Sequence, residues 1–308
     1  MKVSIGTQQL EMGSAELGEL RNCNAPLGSA ESLRARLDED GYLLVRGLIH
    51  RDKVLAARRQ VMEKLAADGQ IQPGTDPMNG IAVPGSKGAY FGGKKAFTHT
   101  PELLAVLEGP ELFEFYASLF GEPATTFGFK WLRAVGQGDF TGIHYDTVYM
   151  GRGSSRLRTC WVPFGDTPIE QGTLAICAGS HVLPGFDPLR ETYGKMDVDR
   201  DSVKGDKTIG WFSNDPREIL EKFGGQWQTT NFQAGDMITF GMHTMHASTN
   251  NVSGRLRLSS DVRFQPTADV MDARWVGEQP VGNPEGLARQ AGELPGITME
   301  QARKNWGV

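Results

Sequence analysis

Apolar and polar positions along this chain follow a helical spacing in its first part and a strand spacing later. Between residues 29 and 70 the pattern predicts helix, strand, helix. Ser29 can cap a helix over Ala30–Leu37, and Glu31 sits in the first turn, where the positive end of the helix dipole favours an acid. The position three after the cap is Ser32, so there is no full capping box. Asp40-Gly41 turns the chain into a mostly apolar strand, Tyr42–Ile49. Asp52–Ala67 then carries apolar residues at Val54, Leu55, Val61, Leu65 and Ala66, the stripe of a helix packed on one side. Residues 71–98 are rich in Gly and Pro and hold little periodicity; an irregular stretch of that length is usually functional or disordered, and a lid over a site is one use for it. Thr100-Pro101, a cap and first-turn pair, opens a helical segment over 101–120.

From about residue 124 the texture changes. Thr126–Val135, Arg158–Phe164, Thr173–Cys177, Asp236–Phe240 and Leu256–Phe264 are short β-branched and aromatic runs parted by Gly, Pro, Asn and Asp. They predict an antiparallel sandwich or barrel flanked by the earlier helices. A short helix is expected at the tail, Thr298 to Trp306. With no internal repeat and no linker, one domain over 1–308 is expected: a helix-rich part over about 1–123, a β core over about 124–266 and a C-terminal extension over about 267–308.

Composition narrows the function. Glycine is high, 39 of 308 residues, which suits a chain with many turns. A net charge of −5 and a pI near 5.7 argue against nucleic acid, which needs a basic face. No run approaches the 18 apolar residues of a spanning helix, and the first residues lack the apolar core of a signal peptide. Cys23, Cys160 and Cys177 are odd in number and lack a CxxC spacing, so they read as reduced thiols in a cytoplasmic protein. Asn251-Val252-Ser253 matches a glycosylation sequon and is read as chance. Gly88 to Lys94 fits Gly-x4-Gly-Lys, but Lys95 follows where a P-loop has Ser or Thr, and no strong strand precedes it.

Six histidines allow a metal hypothesis to be checked in full: His50, His99, His144, His181, His243 and His246. In His144-Tyr145-Asp146 an imidazole and a carboxylate stand at i and i+2, on one face of an extended backbone. That is two-thirds of the facial triad that holds iron(II) with three positions open. The third ligand would be His243 or His246, which lie three apart and face opposite sides of a strand.

At this point the chain resembles the phytanoyl-CoA dioxygenase-like branch of the iron(II)/2-oxoglutarate-dependent oxygenases. Gly142-Ile143-His144-Tyr145-Asp146 looks like the family's His-x-Asp, and Gly172-Thr173-Leu174 running to Gly179-Ser180-His181 like its strand and Gly-Ser-His turn. Gly235-Asp236 with His246-Ala247-Ser248 and Asn250 resembles the Gly-Asp strand leading to the distal histidine, and Arg257 stands where the family's co-substrate arginine does. The segment Asp40 to Leu48 is similar as well, so the likeness runs from about residue 30 to 266.

The resemblance implies a double-stranded β-helix, or jelly-roll, core with flanking helices, classed as mainly β within α+β. It implies a metal triad of His144, Asp146 and His246, with 2-oxoglutarate and O2 as co-substrates. It also implies that Arg257 holds the far carboxylate of 2-oxoglutarate through two parallel hydrogen bonds, that Ser248 adds a hydroxyl to the same carboxylate, and that Trp161 walls the co-substrate site. Arg255 shares the strand parity of Arg257, and only the family spacing separates them. His181 and His243 are expected to be structural, or behind the ligands for His243, and His50 and His99 to lie on the surface or in loops.

An aspartate at position 146 points to hydroxylation of a small molecule, with 2-oxoglutarate converted to succinate and CO2. The lysines at 87, 94 and 95, with Arg152, Arg156 and Arg158, are candidates to line an entrance for an anionic substrate; solvated loops are the alternative. Two other readings stand beside the oxygenase: a cupin-type hydrolase or isomerase that does not use 2-oxoglutarate, for which Arg257 would be dispensable, and a non-catalytic metabolite binder. The oligomeric state is not encoded in any motif.

Overall fold

A computed structural model describes residues 1–24, 28–205 and 207–308. Its strands in chain order are β1 (Lys2–Ile5), β2 (Gln8–Glu11), β3 (Leu17–Glu19), β4 (Tyr42–Val45), β5 (Gly88–Tyr90), β6 (Ala124–Thr126), β7 (Trp131–Val135) and β8 (Arg158–Pro163). They continue with β9 (Leu174–Ala178), β10 (Val203–Lys204), β11 (Gln226–Thr229), β12 (Met237–Gly241), β13 (His246–Ser248), β14 (Arg257–Pro266) and β15 (Ile297–Thr298). The larger sheet runs β4-β12-β8-β14-β7-β5 with β6 also on β14, and the smaller runs β13-β9-β11-β3. The two enclose an apolar core of Trp161, Ile238 and Phe240 from one sheet, Leu174 and Ile176 from the other, with Tyr42 and Phe232. This is the jelly roll that the sequence implied.

Period-2 alternation decides what each face of the large sheet touches. On β14, Leu258, Val262 and Phe264 join Leu132 and Ala134 of β7 and Cys160 and Val162 of β8 in one cluster with the N-terminal helices. The other face turns Arg257, Ser259, Asp261 and Arg263 into the interior, and all ten residues of β14 are buried. Phe264 fixes the outer face, stacking on Tyr116 at 4.3 Å and meeting Phe113 edge-on at 5.3 Å.

Local signals hold where side chains and backbone agree. Ser29 accepts from the N–H of Ser32 and caps Ala30–Asp40, which ends on Gly41 at φ 79°. Thr298 caps Met299–Trp306. The expected strand at 42–49 is shorter, Tyr42–Val45. The helix expected over 101–120 is two helices, Pro101–Leu107 and Pro110–Phe120. Pro110 has no N–H to donate, and the residue before a proline avoids the helical region, so the chain must break at Gly109. The run expected over 126–135 also breaks into β6 and β7. Buried Lys130 turns inward between them and pairs with Glu108 at 2.7 Å.

Residues 71–98 are more ordered than their composition suggested. Ile71 bridges Ala82, Ile81 bridges Arg255, and β5 extends the large sheet beside β7. Strands from both sides of residue 123 therefore share one sheet. The short strands β1–β3, β11 and β13 carry too few residues to announce themselves by periodicity. No helix among the described residues is long and apolar enough to cross a membrane. Cys23, Cys160 and Cys177 are all buried free thiols. Asn251 is fully buried and donates to the carbonyls of Val135 and Arg255, so its sequon is structural.

Candidate metal centre and co-substrate pocket

His144 and His246 come from separate segments joined as a backbone bridge. Each donates its N–H to the other's carbonyl, at 3.0 and 3.1 Å, and their rings lie 4.1 Å apart. The Nδ1 of His144 meets the carbonyl of Gly142 at 2.8 Å, and that of His246 meets the carbonyl of Thr244 at 3.0 Å. A carbonyl only accepts, so each Nδ1 carries a proton, and in the neutral tautomer the lone pair is on Nε2. Both Nε2 atoms face Oδ1 of Asp146, at 3.6 and 3.8 Å. All three residues are buried, and their ligand atoms fall within 4.8 Å of one another.

Electrostatics suits these groups to a cation. Burial pushes His246 down to about 4, with the neighbouring His144 adding to it, so its imidazole is neutral at ordinary pH. Burial works against ionisation of Asp146, but Arg263 and the two imidazoles outweigh it and hold the carboxyl well below the usual carboxylate range. Two imidazole nitrogens and one carboxylate oxygen form the donor set that a divalent iron takes.

Arg257 opens β14 and is 2% exposed, whereas Arg255 is exposed outside the strand, so burial now separates the two. The guanidinium of Arg257 donates from Nη1 to Ser259, lies 5.8 Å from the Trp161 ring, and leaves its buried Nε without a partner. Burial, with Arg133 nearby, lowers it to about 10, so it remains cationic through neutral pH. A buried cation with an unused donor is costly unless an anion completes it. Ser248 follows His246 by two on β13, and its Oγ accepts the N–H of Thr141 at 2.8 Å, which leaves its own proton to donate.

The remaining histidines lie outside the cluster. His181 holds the carbonyl of Asp38 at 2.9 Å, and its ring fills the space under Gly41, so the Gly-Ser-His turn docks the first helix. His243 sits in the turn between β12 and β13, its ring 5.8 Å from that of Tyr145. His50 caps Arg51–Ala67, and His99 contacts the hydroxyl of Thr98. The proposed basic entrance is corrected in part. Arg152 is bound by Asp197, Arg156 by Glu122 and Asp269, and Arg158, half-buried, donates to the carbonyl of Leu157. Lys95 donates to the carbonyl of Gly277.

Sequence reasoning missed four groups beside the triad. Thr159 on β8 and Arg263 on β14 both donate to Oδ2 of Asp146, the latter at 3.0 Å. Arg133 and Asp261 form an ion pair across β7 and β14. The signal was present in the alternation of Arg257, Ser259, Asp261 and Arg263 with Leu256, Leu258, Val262 and Phe264, interrupted only at Ser260. A strand whose apolar side faces helices must turn its polar side inward.

The model of the phytanoyl-CoA dioxygenase family matches residues 37–259, which is 223 of 308 positions. The chain belongs to this family. Phytanoyl-CoA dioxygenase family membership, with the His-Asp-His cluster, makes the chain an iron(II)/2-oxoglutarate-dependent oxygenase. A 1-deoxypentalenic acid 11-beta-hydroxylase from Streptomyces exfoliatus is 26% identical over 266 residues, covering 82% of this chain and 87% of its own. The carbocyclase SnoK from nogalamycin biosynthesis shares the fold at a TM-score of 0.54 and 19% identity, over 87% of this chain and 94% of its own. The epimerase SnoN, solved with Fe3+, alpha ketoglutarate and nogalamycin RO, matches at a TM-score of 0.52 and 22% identity, over 81% and 86%.

Proposed function

We propose that this oxygenase hydroxylates an unactivated C–H bond of a small monoanionic molecule, with His144, Asp146 and His246 holding iron(II) and Arg257 holding 2-oxoglutarate. The observation that carries the site assignment is the convergence of both histidine Nε2 atoms on Oδ1 of Asp146. When bound, iron(II) and 2-oxoglutarate would supply the oxidising power for C–H cleavage, releasing succinate and CO2. The chain's own residues fix the geometry. The carbonyls of Gly142 and Thr244 orient the two imidazoles, and Arg257 offers its free donor to the far carboxylate of the co-substrate. Ser248 adds a hydroxyl there, and the Trp161 ring excludes water from the ion pair.

Charge supports the substrate class. The interior carries Arg133, Arg257 and Arg263 against Asp146 and Asp261, three positive groups and two negative. A divalent metal and a doubly charged 2-oxoglutarate cancel, which leaves one net positive charge among these side chains. A substrate with one carboxylate completes it. The name of the Streptomyces exfoliatus relative gives that protein an acid as substrate, which agrees.

A direct test incubates iron-loaded enzyme with 2-oxoglutarate, O2 and a panel of alicyclic carboxylic acids beside their methyl esters, following succinate. Acids should stimulate turnover and the matched esters should not. Stimulation by esters as strong as by acids would overturn the anionic assignment.

A further inference from the structure

We propose that Arg263 and Thr159 clamp one oxygen of Asp146 so that this carboxylate binds metal through the other oxygen alone. The clamp thereby sets how many positions stay open. The inference rests on the iron and 2-oxoglutarate reading above and deepens it.

The two donors are a cross-strand pair, since Arg263 of β14 stands opposite Thr159 of β8. Their spacing is therefore fixed by the sheet ladder and not by flexible loops. The Thr159 hydroxyl and the Arg263 Nη2 both donate to Oδ2 of Asp146. Neither is free to drift. Thr159 is β-branched and 1% exposed, with few rotamers open to it. The Arg263 guanidinium lies 4.2 Å over the ring of Trp131, and its Nη1 is 3.7 Å from Asp261. Oδ1 receives no hydrogen bond from the described residues and is the oxygen that faces both imidazoles.

Coordination arithmetic gives the clamp its consequence. Two imidazoles and one carboxylate oxygen leave three of six positions around an octahedral iron. A carboxylate that swung round to offer both oxygens would leave two, and a chelating keto acid takes both. The third position, where O2 must arrive, would be gone. A charged and a neutral donor on Oδ2 make that swing expensive, because both hydrogen bonds would be lost in a buried site. Arg263 and Thr159 are thus positioning residues that act through Asp146.

The test uses nitric oxide as a stand-in for O2 and needs no substrate. Wild-type enzyme, Thr159→Val, Thr159→Ser and Arg263→Gln are loaded anaerobically with iron(II) and 2-oxoglutarate. The visible band of the chelated keto acid reports the first two open positions. The electron paramagnetic resonance signal of the iron–nitrosyl reports the third. Wild type and Thr159→Ser should show both. Thr159→Val and Arg263→Gln should keep the band at full iron content while their affinity for nitric oxide falls at least tenfold. Uptake of nitric oxide at wild-type affinity in both variants would overturn the clamp. So would loss of iron itself, which would make the pair a means of retaining metal. Absence of the chelate band in the wild type would remove the underlying reading, and the clamp with it.

Discussion

His144 and His246 are 102 residues apart in sequence, yet each donates its backbone N–H to the other's carbonyl, at 3.0 and 3.1 Å. This is the hydrogen-bonded pair of an antiparallel bridge, and it sets the separation of the two side chains before any metal arrives. The site is therefore a product of the barrel's closure, and its preorganisation depends on backbone as much as on the ligands.

Arg257→Lys should raise the KM for 2-oxoglutarate much more than it lowers kcat. Lysine keeps the charge but cannot supply two parallel hydrogen bonds. Loss of a charged hydrogen bond costs about 1.5–3 kcal/mol, roughly ten- to a hundredfold in KM. Steady-state kinetics with 2-oxoglutarate varied at saturating iron checks this. An unchanged KM would show that Arg257 does not hold 2-oxoglutarate.

The pH dependence of co-substrate binding follows from the same residue. Burial and Arg133 lower the Arg257 guanidinium, but only to about 10, so its charge is present at all pH values below that and lost above it. The dissociation constant of 2-oxoglutarate, measured on iron-loaded enzyme, should stay flat between pH 7 and about 9. A weakening already at pH 8 would contradict the assignment of Arg257 as the anchoring cation.

Asp236, the acid of the Gly-Asp motif, serves the fold. Its carboxylate accepts from Arg46 at 2.6 Å, from the N–H of Gly47 at 3.0 Å and from the N–H of Gln233 at 2.8 Å, tying the end of β4 to β12. Asp236→Asn should lower unfolding stability by about 1.5–3 kcal/mol in urea denaturation while leaving iron stoichiometry at one. Iron loss with unaltered stability would place Asp236 in the site instead.

Phe264→Ala should cost about 3–5 kcal/mol, because the ring packs between Tyr116 and Phe113 on the helix-facing side of β14. Its neighbour Arg263 points the other way. Thermal unfolding should shift strongly, while the nitric oxide affinity of protein that remains folded should match the wild type.

Much of this was legible in the sequence because strong local signals agreed with the global fold. Ser29 and Thr100 cap where expected, a tail helix follows Thr298, and His144, Asp146 and His246, the triad that the family resemblance implied, lie together. What escaped detection was set by long-range pairing. β13 is three residues long and exists because it pairs with β9, and β5 lies in a glycine-rich run that only its partner β7 orders. Arg263 and Thr159 were missed for the same reason. Neither belongs to a motif, and their meeting at Asp146 depends on the register of two strands separated by about a hundred residues.

The measurement that tests the central claim most directly is an anaerobic titration of the apoprotein with iron(II) and then 2-oxoglutarate, followed in the visible. The account predicts the weak charge-transfer band of a chelated keto acid in the wild type, its loss in His246→Ala, and its appearance only at much higher 2-oxoglutarate in Arg257→Ala. Iron binding without a band in the wild type, or a band that survives in His246→Ala, would contradict it.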